Sequence, residues 1–191
     1  MVDRFKQAIR ITHRQIRGKL SHRFQTHASH KISTCIQQLD QYRQAKHLAF
    51  YHPISGEVSL HQLWHTAPLH GKYCYFPRLT IDGALCFVPA TPATRFIPNR
   101  YQILEPDVSL EHAIPPSALD IIFLPMVAFD TTGNRLGMGA GYYDKTLNNN
   151  SPGFLIGVAY EFQLVSYIHA DHYDVPVNLV VTERHCHWSK R

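Results

Sequence analysis

Several things are missing from this chain of 191 residues, and each absence removes a class of protein. No apolar run approaches the roughly 20 residues that cross a bilayer as a helix. The longest candidate, residues 121–129, is short and interrupted by Pro125. The opening MVDRFKQAIR carries charges where a secretory leader needs its apolar stretch. A soluble, cytoplasmic protein is therefore expected. The four cysteines, Cys35, Cys74, Cys86 and Cys186, include no C-x-x-C pair. Buried thiols, not a disulfide framework, are the expectation. There is no internal repeat and no low-complexity tract.

Charged residues are only 17% of the chain and hydrophobic residues 45%, proportions of an ordinary globular protein. The length suits one domain over residues 1–191. The formal net charge is +5 and the pI about 9.1, yet no run of five Lys/Arg exists and aromatics do not interleave with a basic stripe. Small anionic ligands fit that charge as well as nucleic acid does.

Periodicity predicts a helix over residues 3–20, with Phe5, Ile9, Ile16 and Leu20 on one face and Lys6, Arg10, Arg14 and Arg17 in a second stripe. A second helix is expected over 29–43, with Ile32, Ile36 and Leu39 inward. Residues 47–52 read as a strand ending at Pro53, and 59–70 as a helix that Ser59 could cap. Residues 72–79 and 84–90, joined at Asp82-Gly83, read as a hairpin. Residues 89–118 read as irregular chain. The apolar run 120–124 suits a strand buried on both faces, and 154–160 and 179–182 read as further strands. Strands alternating with helices predict an α/β fold: a mostly parallel, mixed central sheet flanked by helices, in a Rossmann-like three-layer arrangement.

Chemistry concentrates in residues 120–147. Gly137, Gly139 and Gly141 alternate ahead of a helix, leaving the backbone free to take positive φ and to approach a ligand closely. Backbone N–H groups in such a turn can bind an anion. Arg135 stands just before it, and Asp144 follows, where a carboxylate could hold a metal against phosphate. Glycines alone are a weak signal. No Gly-Lys-Ser/Thr follows, so this is not a Walker A loop, and the third glycine comes one residue early for a dinucleotide fingerprint. Glu161, 20 residues past Gly141, is read as a chance match to that fingerprint's acid. The many histidines, His185 and His187 around Cys186 among them, fit no usual zinc spacing and are read as surface or core residues.

The whole string is more specific. Pro125-x-x-x-Phe129-Asp130-x-x-Gly133-x-Arg135-Leu136-Gly137-x-Gly139-x-Gly141-Tyr142-Tyr143-Asp144 resembles the signature of the 5-formyltetrahydrofolate cyclo-ligase family. Lys6-x-x-x-Arg10, Tyr51-x-Pro53-x-x-x-Glu57, Phe76-Pro77-Arg78, Gly157-x-Ala159-Tyr160-x-x-Gln163 and His172-x-Asp174-Val175-Pro176 also have counterparts there, in order. The HCHW segment, residues 185–188, does not.

The resemblance implies an ATP- and Mg²⁺-dependent ligase that converts 5-formyltetrahydrofolate, with or without a polyglutamate tail, to 5,10-methenyltetrahydrofolate. It implies ATP contacts from Lys6, Arg10, Arg135, Leu136, Gly137, Met138, Gly139, Ala140, Gly141, Tyr142 and Tyr143. It implies folate contacts from Tyr51, Glu57, Met138 and Tyr142, catalytic roles for Arg135 and Tyr143, and Mg²⁺ on Asp144 and Asp174. A monomer without nucleic-acid or membrane partners is expected. A sugar-phosphate isomerase or transferase, a silent nucleotide-binding regulator and an RNA-binding module are the competing readings.

Overall fold

The computed structural model describes residues 4–148 and 153–190. Its centre is a seven-stranded sheet, β1 (His47–Ala49), β2 (Tyr73–Leu79), β3 (Leu85–Pro89), β6 (Ile121–Pro125), β9 (Phe154–Val158), β10 (Leu179–Val181) and β11 (Cys186–Trp188), in the order β11-β10-β9-β6-β1-β2-β3. Pairings from β10 through β2 are parallel, and β3 and β11 are antiparallel edges. This is the expected mixed, mostly parallel sheet.

The apolar run of β6 is explained by its central place. Ile121 and Phe123 pack on one face with Leu48, Phe50 and Ile156, under Ala28, Ile32 and Ile36 of helix α2. Ile122 and Leu124 pack on the other with Ala49, Leu155 and Val180, beneath Leu147 and Phe129. Alternate residues thus serve two cores, so both sets must be apolar. The first face is covered by α2 (His22–Gln38), α3 (Asp40–Gln44) and α4 (His61–Thr66). The second carries one short helix, α5 (Tyr142–Leu147), and the ribbon β7 (Ala128–Phe129) with β8 (Arg135–Leu136).

Four local expectations need correction. Helix α2 starts at His22, not near residue 29, because the Ser21 side chain caps it by accepting the Phe24 N–H. It ends at Gln38, and extended Leu39 separates it from α3. Helix α4 starts at His61, and Ser59 accepts the His61 N–H from outside the helix. The segment 89–118 contains a small antiparallel pair, β4 (Phe96–Pro98) with β5 (Leu104–Pro106). The last three residues of HCHW form the edge strand β11.

The largest correction concerns helix α1 (Arg4–Gly18). Of its expected apolar face Ile9 packs inward, but Phe5 is 62% exposed and Ile16 is 41% exposed. The inward face carries Lys6, Ile9, Arg10, His13 and Arg17, and Arg17 is the buried residue of the helix. Arg14, grouped with that stripe by sequence, points to solvent. Backbone carbonyls, with the carboxylates of Asp171 and Glu57, are what this face meets. The Arg10 Nε donates to Gly137 O at 3.0 Å, the His13 Nδ1 to Val127 O at 3.0 Å, and the Arg17 Nε to Ser55 O at 2.9 Å.

Candidate active site

The tight turn between β7 and β8 aims Arg135. Asp130 is buried and organises it: Oδ1 accepts the N–H groups of Thr132 and Asn134, and Oδ2 accepts the Ile168 N–H. Gly133 has φ +87°, and a Cβ there would lie 2.2 Å from Ser189 Oγ and 2.5 Å from Val177 O. The Asp-x-x-Gly-x-Arg part of the signature is thus a folding device with an arginine at its end.

Arg135 is nearly buried, and both its terminal nitrogens donate to Asp144 Oδ1 at 2.8 Å. That oxygen also accepts the Val175 N–H at 3.1 Å. All three contacts fall on Oδ1, so Oδ2 is the oxygen placed to take a cation. Asp174 uses its Oδ2 to accept the Asp171 N–H at 2.9 Å. Asp171 in turn accepts from Lys6 Nζ at 2.9 Å, and this lysine contact holds the Asp171 carboxyl below its ordinary pKa.

These side chains line a polar cleft of about 690 Å³. Lys6, Arg10, Leu136, Gly137, Gly139 and Gly141 share it with Arg135, Lys145, Asp144, Asp171 and Asp174. Gly139 has φ +106°, and its missing Cβ leaves room beside the Arg10 guanidinium, 3.6 Å from where that atom would stand. The following helix has six residues, so its dipole adds little beyond the loop amides and the four basic side chains.

A second cavity of about 380 Å³ adjoins the first, with Arg135, Gly137, Gly141 and Asp144 belonging to both. Its walls are mainly apolar and aromatic, with Ile54, Leu79, Leu85, Tyr101, Ile103 and Met126 beside Tyr51, Glu57, Met138, Ala140, Tyr142 and Tyr143. The loop therefore divides its residues. Leu136 and Gly139 line only the polar cleft, whereas Met138, Ala140, Tyr142 and Tyr143 line only the apolar one.

Glu57 lines that second cavity together with Glu105 and Asp144. Its Oε2 accepts the Ile54 N–H at 3.0 Å, and its Oε1 lies 3.6 Å from the Arg17 guanidinium. Burial raises its pKa, and the Ile54 N–H and Arg17 only partly oppose that. Tyr51 is committed, since its hydroxyl donates to Val58 O at 2.6 Å, so it offers the cavity its ring. Burial pushes the Tyr143 hydroxyl far up, with the Glu57 charge adding to the effect. Tyr143 is accordingly a neutral donor and not a base. The Tyr142 hydroxyl donates to Tyr101 Oη at 2.6 Å across the mouth.

Sequence reasoning missed Asp171, the Arg17–Glu57 contact, and Tyr101 with Leu79 and Leu85 from the hairpin side. Asp171 could have been found by its three-residue spacing from Asp174. Nothing local marked the others, which depend on tertiary approach.

Mg²⁺ takes oxygen ligands and keeps several waters. Asp144, whose Oδ2 takes no hydrogen bond among the described residues, and Asp174 line one cleft beside basic side chains, a donor set that fits such an ion.

Fold and site together define a class: an α/β enzyme with a cleft lined by basic and acidic side chains that opens onto an aromatic cavity. Residues 2–183 match the model of the 5-formyltetrahydrofolate cyclo-ligase family, and the chain belongs to that family. It is a ligase of folate one-carbon metabolism. It is 37% identical over 176 residues to the 5-formyltetrahydrofolate cyclo-ligase of Haemophilus influenzae, covering 90% of this chain and 94% of that one. It is 36% identical over 142 residues to the Escherichia coli K12 protein of that name, covering 71% and 74%. The solved structure of Aquifex aeolicus 5,10-methenyltetrahydrofolate synthetase superposes with a TM-score of 0.84 at 31% identity, covering 97% of this chain and 93% of that one. The Mycoplasma pneumoniae synthetase does so with a TM-score of 0.76 at 25% identity, covering 94% and 99%.

Proposed function

We propose that this enzyme uses ATP and Mg²⁺ to cyclise 5-formyltetrahydrofolate to 5,10-methenyltetrahydrofolate, releasing ADP and phosphate. The observation that carries the reading is the pair of adjoining clefts, one polar and cationic, one aromatic, joined at Arg135 and Asp144. A phosphoryl donor and a pteridine need such neighbouring environments, with the reacting atoms at the junction.

A formyl amide is a poor electrophile and its oxygen a poor leaving group. In this reading the formyl oxygen attacks the γ-phosphorus of ATP, and ADP departs. The product is an N5-iminium phosphate. N10 of the same folate attacks its carbon and gives up its proton, and phosphate leaves with the former formyl oxygen. Phosphoryl transfer asks mainly for positioning and charge neutralisation. Lys6, Arg10, Arg135 and the amides of residues 136–141 supply both in the polar cleft. Asp144 and Asp174 would hold Mg²⁺, which adds charge neutralisation at the phosphates. Ring closure is intramolecular, so orientation of the folate governs it. Tyr142, Met138 and the Tyr51 ring pack on the pteridine, and Glu57 accepts its hydrogen bonds. Tyr143 donates near the junction. No covalent enzyme intermediate is required.

The test follows methenyl product by absorbance, with and without ATP and Mg²⁺, alongside ADP. One ADP per methenyl product, with no product when either ATP or Mg²⁺ is omitted, is expected. Product formed without ATP, or ADP released without folate turnover, would overturn the reading.

A further inference from the structure

Outside both cavities, the structure gathers three metal-ligating side chains that come from separate parts of the sequence. Glu161 follows β9, while His185 and His187 sit in and beside the edge strand β11. Two strand positions apart, the two histidines share a face, whereas Cys186 between them turns to the opposite side and contacts Cys35 Sγ at 2.9 Å. Glu161 Oε1 lies 3.1 Å from His185 Nδ1, and Oε2 lies 3.1 Å from His187 Nε2. The three donor groups fall within 4.8 Å of one another.

We propose that Glu161, His185 and His187 form a binding site for a divalent transition-metal ion of the Zn²⁺ class. Bonds of about 2.0–2.2 Å to a tetrahedral ion place neighbouring donor atoms roughly 3.4 Å apart. Each carboxylate–imidazole pair is already near that spacing. Two imidazoles and one carboxylate favour Zn²⁺, Co²⁺ or Ni²⁺ over Mg²⁺.

The donors are also held in place. Thr182 Oγ1 donates to Glu161 Oε2, and it accepts the His185 N–H at 2.9 Å. The Glu161 N–H donates to Glu183 Oε2 at 3.0 Å. The ring of His187 packs edge-on against Phe129 at 5.3 Å. Such outer contacts orient ligands and tune affinity. The His185 side chain is 64% exposed, which leaves it free to close on the ion and keeps one coordination position open to solvent.

Both histidines lie beyond residue 183, where the family match ends, and none of the three residues lines either cavity. The site is therefore separate from the proposed Mg²⁺ pair. Bound metal would fasten β11 to the end of β9 across β10.

The test uses the full chain, free of any histidine tag and stripped with chelator. Co²⁺ is titrated by its visible ligand-field absorption, and Zn²⁺ by equilibrium dialysis and thermal melting. One equivalent of metal and a raised melting temperature are expected. His185→Gln, His187→Gln and Glu161→Gln should each weaken binding at least about tenfold and remove the thermal shift. Asp174→Asn should leave Co²⁺ binding unchanged. Because His185 is largely exposed, its variant keeps the test interpretable if either other variant unfolds. No stoichiometric binding, or affinity unchanged in His185→Gln, would overturn the proposal.

Discussion

Gly139→Val is the sharpest test of the phosphate loop. Gly139 holds φ +106°, a region that β-branched side chains rarely enter. Backbone strain of this kind costs on the order of 1–3 kcal/mol. For a chain of this length each kcal/mol lowers the melting temperature by roughly 2–4 °C, so a drop of about 2–12 °C is expected. Domain stabilities run at roughly 5–15 kcal/mol, so the variant should stay folded. Binding suffers separately. The new Cβ would stand 3.6 Å from the Arg10 guanidinium, and the valine methyls extend further into the space Arg10 and a phosphate would share. Arg10 also loses support if Gly137 O, its hydrogen-bond acceptor, shifts with the strained loop. Losing about 1.4 kcal/mol of nucleotide binding is a tenfold loss of affinity, and at least that is expected. Calorimetric titration with a non-hydrolysable ATP analogue measures one effect and thermal melting the other. A folded variant with undiminished analogue affinity would show that this loop is not the phosphate cradle.

Asp174→Asn should raise the Mg²⁺ concentration needed for turnover while leaving thermal unfolding near normal, because the amide oxygen can still accept the Asp171 N–H; unchanged turnover at limiting Mg²⁺ would remove Asp174 from the metal pair. Deleting residues 1–12 should abolish ATP-analogue binding and leave a folded core, since the buried Arg17 lies beyond the cut; analogue binding equal to that of the full chain would reduce Lys6 and Arg10 to packing contacts. Glu57 should pick up its proton at a pH above that of an ordinary glutamate, so folate affinity should fall as pH drops through that raised value. The stability sign is opposite: with the folded pKa raised, Glu57 contributes most at low pH and that contribution is lost as pH rises through the folded value. Comparing melting curves and folate titrations of wild type and Glu57→Gln across that range checks both, and parallel curves would refute the shift.

The sheet was legible because its signals are local. An apolar run of strand length at 121–125 can be buried on both faces only in the middle of a sheet, and β6 sits there. The hairpin of β2 and β3 follows from Asp82-Gly83 and flanking β-formers. The glycine loop was legible as a cavity-lining segment because its glycines and Arg135 lie within one stretch of chain. Other features depended on distant partners. Arg17 is buried because Ser55 O, Met126 O and Glu57 surround it, three positions that no spacing rule connects to residue 17. Likewise β11 reads as three unrelated residues, Cys186, His187 and Trp188, until β10 offers it an edge.

Helix α1 shows why hydrophobic periodicity failed in one place and not in the others. Hydrophobic periodicity marks where the apolar side chains lie and predicts the packed face only where that face is apolar. That condition holds for α2, whose Ala28, Ile32 and Ile36 meet the sheet core. Much of α1 instead covers the loops that bound the two cavities, where backbone carbonyls and carboxylates face outward. Carbonyls of Ser55 and Gly137 need donors, those of Met126 and Val127 can take a second beside Gln163 Nε2, and the helix that covers them supplies N–H groups from its side chains. Arg and His provide these at three- and four-residue spacing, so the inward stripe is basic. The same stripe brings Lys6 and Arg10 to the polar cleft. Under the proposed function, packing and ligand binding would ask for the same side chains on this helix, and a basic stripe beside an exposed apolar one is the signature that such a dual demand leaves in a sequence.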